Sequence, residues 1–155
     1  MTYKELIESI IKMIDTLEKT KKNTREEVTL KVFEKIKELV LKQKMNLNDY
    51  RVLLYYFSIK PDAIYKEALK RLKDGILEEN GIASYMKKTM EEGSTLDDAK
   101  KKVYMTYLES YLKEEIPFET LETALWALDI NLKKEYYLLS NDERRKELKT
   151  FFHLG

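Results

Sequence analysis

The stretch Lys100–Glu115 reads KKKVYMTYLESYLKEE. Three lysines run into tyrosines at 104, 107 and 111, a spacing that sets three phenol rings along one side of a helix. Beside lysines, such a ladder suits single-stranded nucleic acid, with bases stacked on the rings and ammonium groups on phosphates. The spacing also suits a packing face, because Val103, Leu108 and Leu112 share that side. A buried tyrosine carries its hydroxyl to an edge where it finds a partner. Aromatic residues at helical spacing mark burial, so we expect Tyr104, Tyr107 and Tyr111 to be largely buried. Lys100–Lys102 then form a solvated rim, partly neutralised by Asp97 and Asp98 one turn back.

Other reactive side chains are sparse. The chain has no cysteine, which removes thiol catalysis, disulfides and thiolate metal sites. His153 is its one histidine and follows Phe151-Phe152 near the last residue, a poor setting for the packed base that a hydrolase needs. Arg144 and Arg145 lie too far before His153 for the Arg–spacer–His pattern of HEPN-type ribonucleases. Glu5/Glu8 and Glu119/Glu122 supply Glu-x-x-Glu, yet no Glu-x-x-Asp follows to complete the magnesium set of the all-α nucleotide pyrophosphohydrolases. Glycine-rich phosphate loops are absent from the sequence as well. The expectation is a protein without catalytic, cofactor-binding or metal-binding residues.

The elements that position these residues read as helices throughout. Four glycines and two prolines in 155 residues leave few breaks. Leu6, Ile7, Ile10, Ile11, Ile14 and Leu17 recur three and four apart, and Thr2 with Glu5 forms a capping box ahead of them. Thr24 with Glu27 opens a second helix to about Lys44. A shorter one spans about Asn48 to Ser58. Pro61 is expected in the first turn of a fourth, and Gly81 and Gly93 bracket a fifth. Thr95 caps the helix with the tyrosine ladder, Pro117 starts the next, and Ser140 with Glu143 caps a last one. The fold class is all-α, a bundle of seven or eight helices in a single domain over 1–155.

A shift of 71 residues aligns 24–66 with 95–137 without a gap. Nine of those 43 pairs are identical, among them Thr24/Thr95, Val32/Val103, Leu54/Leu125 and Tyr65/Tyr136. We expect an internal repeat, 1–70 and 72–140, of a three-helix unit used twice. The ladder tyrosines then stand opposite Phe33, Ile36 and Val40, which are core residue types.

Function is bounded from composition. Twenty-nine basic residues nearly cancel 28 acidic ones, so no net field steers the chain to nucleic acid or anionic lipid. The longest apolar run, 52–57, is too short to span a bilayer, and the first residues lack the apolar core of a signal peptide. A cytoplasmic protein is expected, with no membrane partner. Abundant lysine and glutamate beside a single glutamine is a composition compatible with a thermophile.

Eleven tyrosines, five phenylalanines and a tryptophan point to contact surface. In the doublets Tyr55-Tyr56, Tyr136-Tyr137 and Phe151-Phe152, neighbours on a helix point about 100° apart. One member of each is therefore expected to meet a partner protein or a second copy in a homodimer, the alternative being a helix central to the bundle and buried all round. The first reading is a non-enzymatic protein-interaction or assembly module. The second is a nucleic-acid binder using Lys66, Lys70, Arg71 and Lys73, or Arg144, Arg145 and Lys149. The third is an enzyme with a carboxylate-held metal.

Overall fold

In the computed structural model, which describes residues 1–20 and 23–154, regular structure is helical. Among the described residues, eight α-helices and one 3-10 helix occur in two compact units, Met1–Leu69 and Lys70–Gly155. Among the described residues, no helix is long and apolar enough to cross a membrane.

The first unit holds α1 (Tyr3–Thr20), α2 (Arg25–Leu41), α3 (Leu47–Tyr56) and the start of α4 (Ala63–Glu79). The Thr2–Glu5 capping box forms in both directions. Glu5 N–H donates to Thr2 Oγ1, and Thr2 N–H to Glu5 Oε2, each at 3.2 Å. Ile7, Ile10 and Ile14 line the buried side of α1, Val28, Val32, Phe33 and Ile36 that of α2, and Val52, Leu53 and Leu54 that of α3. These three helices pack on one another. Each such side chain stabilises the fold by about 1.5–3 kcal/mol on burial.

Pro61 differs from expectation. It precedes α4, and Asp62 is the cap, accepting the Tyr65 N–H at 3.0 Å on Oδ1. A carboxylate satisfies an orphan donor that proline has no side-chain acceptor to meet.

The second unit continues with the rest of α4, α5 (Ile82–Glu91), α6 (Leu96–Leu112), α7 (Phe118–Ala127), a 3-10 turn (Lys134–Leu138) and α8 (Asn141–Phe151). α5 packs on α6, and α6 on α7. Adding 71 to the limits of α2, 25 and 41, gives those of α6, 96 and 112. The limits of α3, 47 and 56, become 118 and 127, those of α7. The caps agree too. Thr24 Oγ1 accepts from Glu27 N–H at 3.3 Å and Thr95 Oγ1 from Asp98 N–H at 3.2 Å.

At the other ends the chain turns through left-handed residues. Gln43 and Glu114 have φ of 58° and 63°, and Ser58 and Asp129 have 58° and 64°. The amides that follow reach five residues back at matching distances. Lys44 to Leu39 and Glu115 to Ser110 are both 2.8 Å, and Ile59 to Leu54 and Ile130 to Leu125 are both 2.9 Å. These are Schellman closures made without glycine.

The units differ where their first and last helices fall. α1 is continuous, whereas its counterpart breaks at Asn80–Gly81, with Gly81 at φ 67°. α4 is continuous, whereas 134–151 makes one 3-10 turn and restarts as α8. Ser140, Asn141 and Asp142 stand where α4 has Leu69, Lys70 and Arg71. Their short polar side chains bond to nearby backbone and favour a cap over a helix interior. Ser140 is that cap, accepting the Glu143 N–H at 3.2 Å.

The ladder is graded rather than uniform. Tyr111 is fully buried and donates its hydroxyl to Asn141 Oδ1 at 2.8 Å. Tyr104 and Tyr107 are half-buried and pack against Ile82, Val103 and Leu128. Burial pushes the Tyr107 phenol above its ordinary value.

Candidate interaction surface

The aromatic doublets lie in different settings. Tyr136 and Tyr137 are both buried, contrary to one ring facing outward. The 3-10 turn that carries them is covered on two sides. Tyr136 meets Phe151 edge-on at 6.2 Å, and Tyr137 meets Phe118 at 5.8 Å. The Tyr137 hydroxyl donates to the buried Glu122 carboxylate at 2.6 Å. Phe151 and Phe152 are half-buried and meet edge-on at 4.9 Å, with Phe152 5.3 Å from Tyr104. Tyr55 and Tyr56 are half-buried, Tyr56 against Phe57 at 5.1 Å.

The basic residues are also divided. Arg144 is buried and works inside the second unit. Its Nε and Nη2 donate to the carbonyls of Tyr136 and Leu139, each at 2.7 Å, and its Nη1 donates to Asn141 Oδ1 at 2.8 Å. Arg145 Nε donates to the Tyr111 carbonyl at 3.2 Å, and Nη1 pairs with Glu114 at 3.2 Å and Asp142 at 3.1 Å. Two arginines expected for phosphates therefore serve the end of α6 and the turn before α8. Lys73 pairs with Asp129. Lys66, Lys70, Arg71 and Lys149 are exposed.

A charged cluster ties elements together within each unit. In the first, Lys37 Nζ meets Asp62 Oδ2 at 2.6 Å and lies 5.6 Å from the Tyr65 ring centre. The bond to Lys37 holds the Asp62 carboxyl below its ordinary value, while burial raises the Tyr50 and Tyr65 phenols. Phenols shifted upward stay protonated and make poor nucleophiles. In the second, Asp129 takes Lys73 from α4 and Lys100 from α6, the latter at 3.6 Å. Among the described residues, no three His, Cys, Asp or Glu side chains assemble to hold a metal ion.

What stands out is an open groove of about 510 Å³ between the end of α4 and α5. Leu77, Ala83, Met86 and Met90 floor it, and Lys87 and Glu91 edge it. Ile82 and Thr89 turn inward from α5, so Ala83, Met86 and Met90 lie along one flank of the buried stripe. Met90 is 43% exposed and Met86 half-buried. At the place of Met90 the first unit carries a charged residue instead. The residues standing where Met90 does are Glu18 or Lys19, depending on the one-residue step at the Asn80–Gly81 break. Packing of this helix on its neighbours therefore does not require an apolar side chain at that place.

Sequence periodicity did not single out this groove. The signal was Met86 and Met90 four apart, flanked by Lys87-Lys88 and Glu91-Glu92, within a helix whose buried residues are Ile82 and Thr89, with Met86 packed partly against the core.

Comparison with protein-family models, curated proteins and solved structures found no match to this chain.

Proposed function

We propose that the chain is a protein-interaction module, a tandem of two related helical units in which the second carries the contact surface. The apolar groove of Leu77, Ala83, Met86 and Met90 is the observation that supports this reading. It is open in a chain with 37% charged residues, and the first unit carries a charge, Glu18 or Lys19, where Met90 stands. Methionine suits such a surface, since its flexible and polarisable side chain adapts to a partner's shape. An aliphatic floor with an oppositely charged pair at its edge is the pattern of an interface centre with a polar rim.

The relation between units is supported by the common limits of α2 with α6 and α3 with α7, and by their shared caps and left-handed closures. A duplicated unit leaves one copy free to hold the fold while the other changes its surface.

Methionine oxidation by hydroxyl radicals tests the reading. Met13 on α1 and Met90 on α5 are equally exposed, at 43% each. In an extract of the native cells, Met90 is expected to be protected relative to Met13. Equal reactivity there and in the purified chain at about 1 mM would count against the groove as a contact surface.

A further inference from the structure

Resting on that reading of the groove, we infer that its occupant is a second copy of this chain, seated α5 against α5 in antiparallel fashion about a two-fold axis. The argument is charge complementarity. Lys87 and Glu91 lie one turn apart on the rim of the groove, beside Met86 and Met90. Among the described residues, neither is engaged in an ion pair. In an antiparallel helix pair the same flank of each helix meets its mate, so Lys87 of one copy comes beside Glu91 of the other, and Glu91 beside Lys87. Two-fold symmetry forms both pairs at once, as an isologous interface requires. A parallel two-fold pair would put this flank of the two copies on opposite sides of the seam, so Lys87 and Glu91 would form no cross-pairs. Met86 and Met90 of one copy then cover Met90 and Met86 of the other, with Ala83 letting the helices approach.

Size sets the strength. α5 has ten residues and is about 15 Å long, so the contact falls below the roughly 1,200 Å² at which standard interfaces begin. The dimer is therefore weak and concentration-dependent. Its charged part weakens with added salt.

Sedimentation velocity on the purified full chain, up to about 1 mM, tests this. The wild type is expected to pass from monomer to dimer across the range. Met90→Glu places a charge in the seam and is expected to weaken dimerisation at least about tenfold. Lys87→Glu weakens it as well, and Lys87→Glu combined with Glu91→Lys restores it, since the exchange preserves both cross-pairs. Circular dichroism confirms that each variant keeps its helices. A wild type that stays monomeric throughout, or a dimer as tight in Met90→Glu and Lys87→Glu as in the wild type, overturns the inference. A monomer whose Met90 is still protected in cell extract means a different protein fills the groove, and the interaction reading stands. A chain that stays monomeric and whose Met90 reacts like Met13 in extract removes that reading too.

Discussion

Arg144 lays its guanidinium 3.8 Å from the centre of the Phe118 ring while two of its nitrogens close on the carbonyls of Tyr136 and Leu139. One side chain from α8 thus stacks on α7 and satisfies the 3-10 turn between them. Arginine suits this place because its planar fork serves several acceptors at once. Arg144→Met is expected to lower stability by about 2–4 kcal/mol, since it leaves buried carbonyls without donors. Arg144→Lys should recover little of that, as an ammonium cannot cover acceptors spread around a plane. Urea denaturation of the three proteins measures both.

The left-handed closures give a paired prediction. Gln43 and Glu114 occupy equivalent positions at φ 58° and 63°, a conformation that costs a residue with a Cβ about 1–2 kcal/mol. Glycine removes that strain but gives back about 0.5–1 kcal/mol in unfolded-chain entropy. Gln43→Gly is expected to raise stability by about 0.5–1 kcal/mol. Glu114→Gly should gain less, because it also removes the contact with Arg145 at 3.2 Å. Thermal midpoints of the two variants test the order.

Asp129 ties the α7 turn to α4 and α6. Lys73, and behind it Lys100, hold its carboxyl below the ordinary value. A lowered folded pKa means that the stabilisation is full above the unfolded carboxyl value, about pH 4, and fades as pH falls through the folded value. The carboxylate is well exposed, so the effect stays under about 1 kcal/mol. Asp129→Asn keeps a residue that tolerates the left-handed backbone and removes the charge. Its stability should fall short of the wild type at pH 7 and converge with it near pH 2–3, as read from chemical denaturation across pH.

Much of the fold was legible because it is written in caps and apolar periodicity. Thr2, Thr24, Thr95 and Ser140 each start the helix their spacing announced. The 71-residue register that matched Thr24 to Thr95 also matches the helix limits. The helix ends were harder, because Gln43, Ser58, Glu114 and Asp129 turn the chain where glycine is the usual signal. Tyr136 and Tyr137 misled for a different reason. Their burial depends on a 3-10 turn set by Ser140 and Arg144, residues whose contacts are not local in the pattern. Arg144 itself looked like a surface cation, and nothing in its spacing marks the carbonyls it reaches.

The groove was hidden because exposure of an apolar residue is decided by what packs beside it. Met90 reads as one more core residue until Thr89 takes the inward position. Its exposure makes it dispensable to folding. Met90→Glu is therefore expected to change stability by no more than about 0.5 kcal/mol, as checked by urea denaturation at a concentration where the chain is monomeric.

Radical oxidation followed by mass spectrometry tests the central claim most directly, because Met13 and Met90 start from equal exposure. In dilute purified protein the two should oxidise at similar rates. In purified protein at about 1 mM, Met90 is predicted to be protected and Met13 to react as before. Equal oxidation of both methionines at that concentration and in native cell extract would contradict an interaction surface on α5.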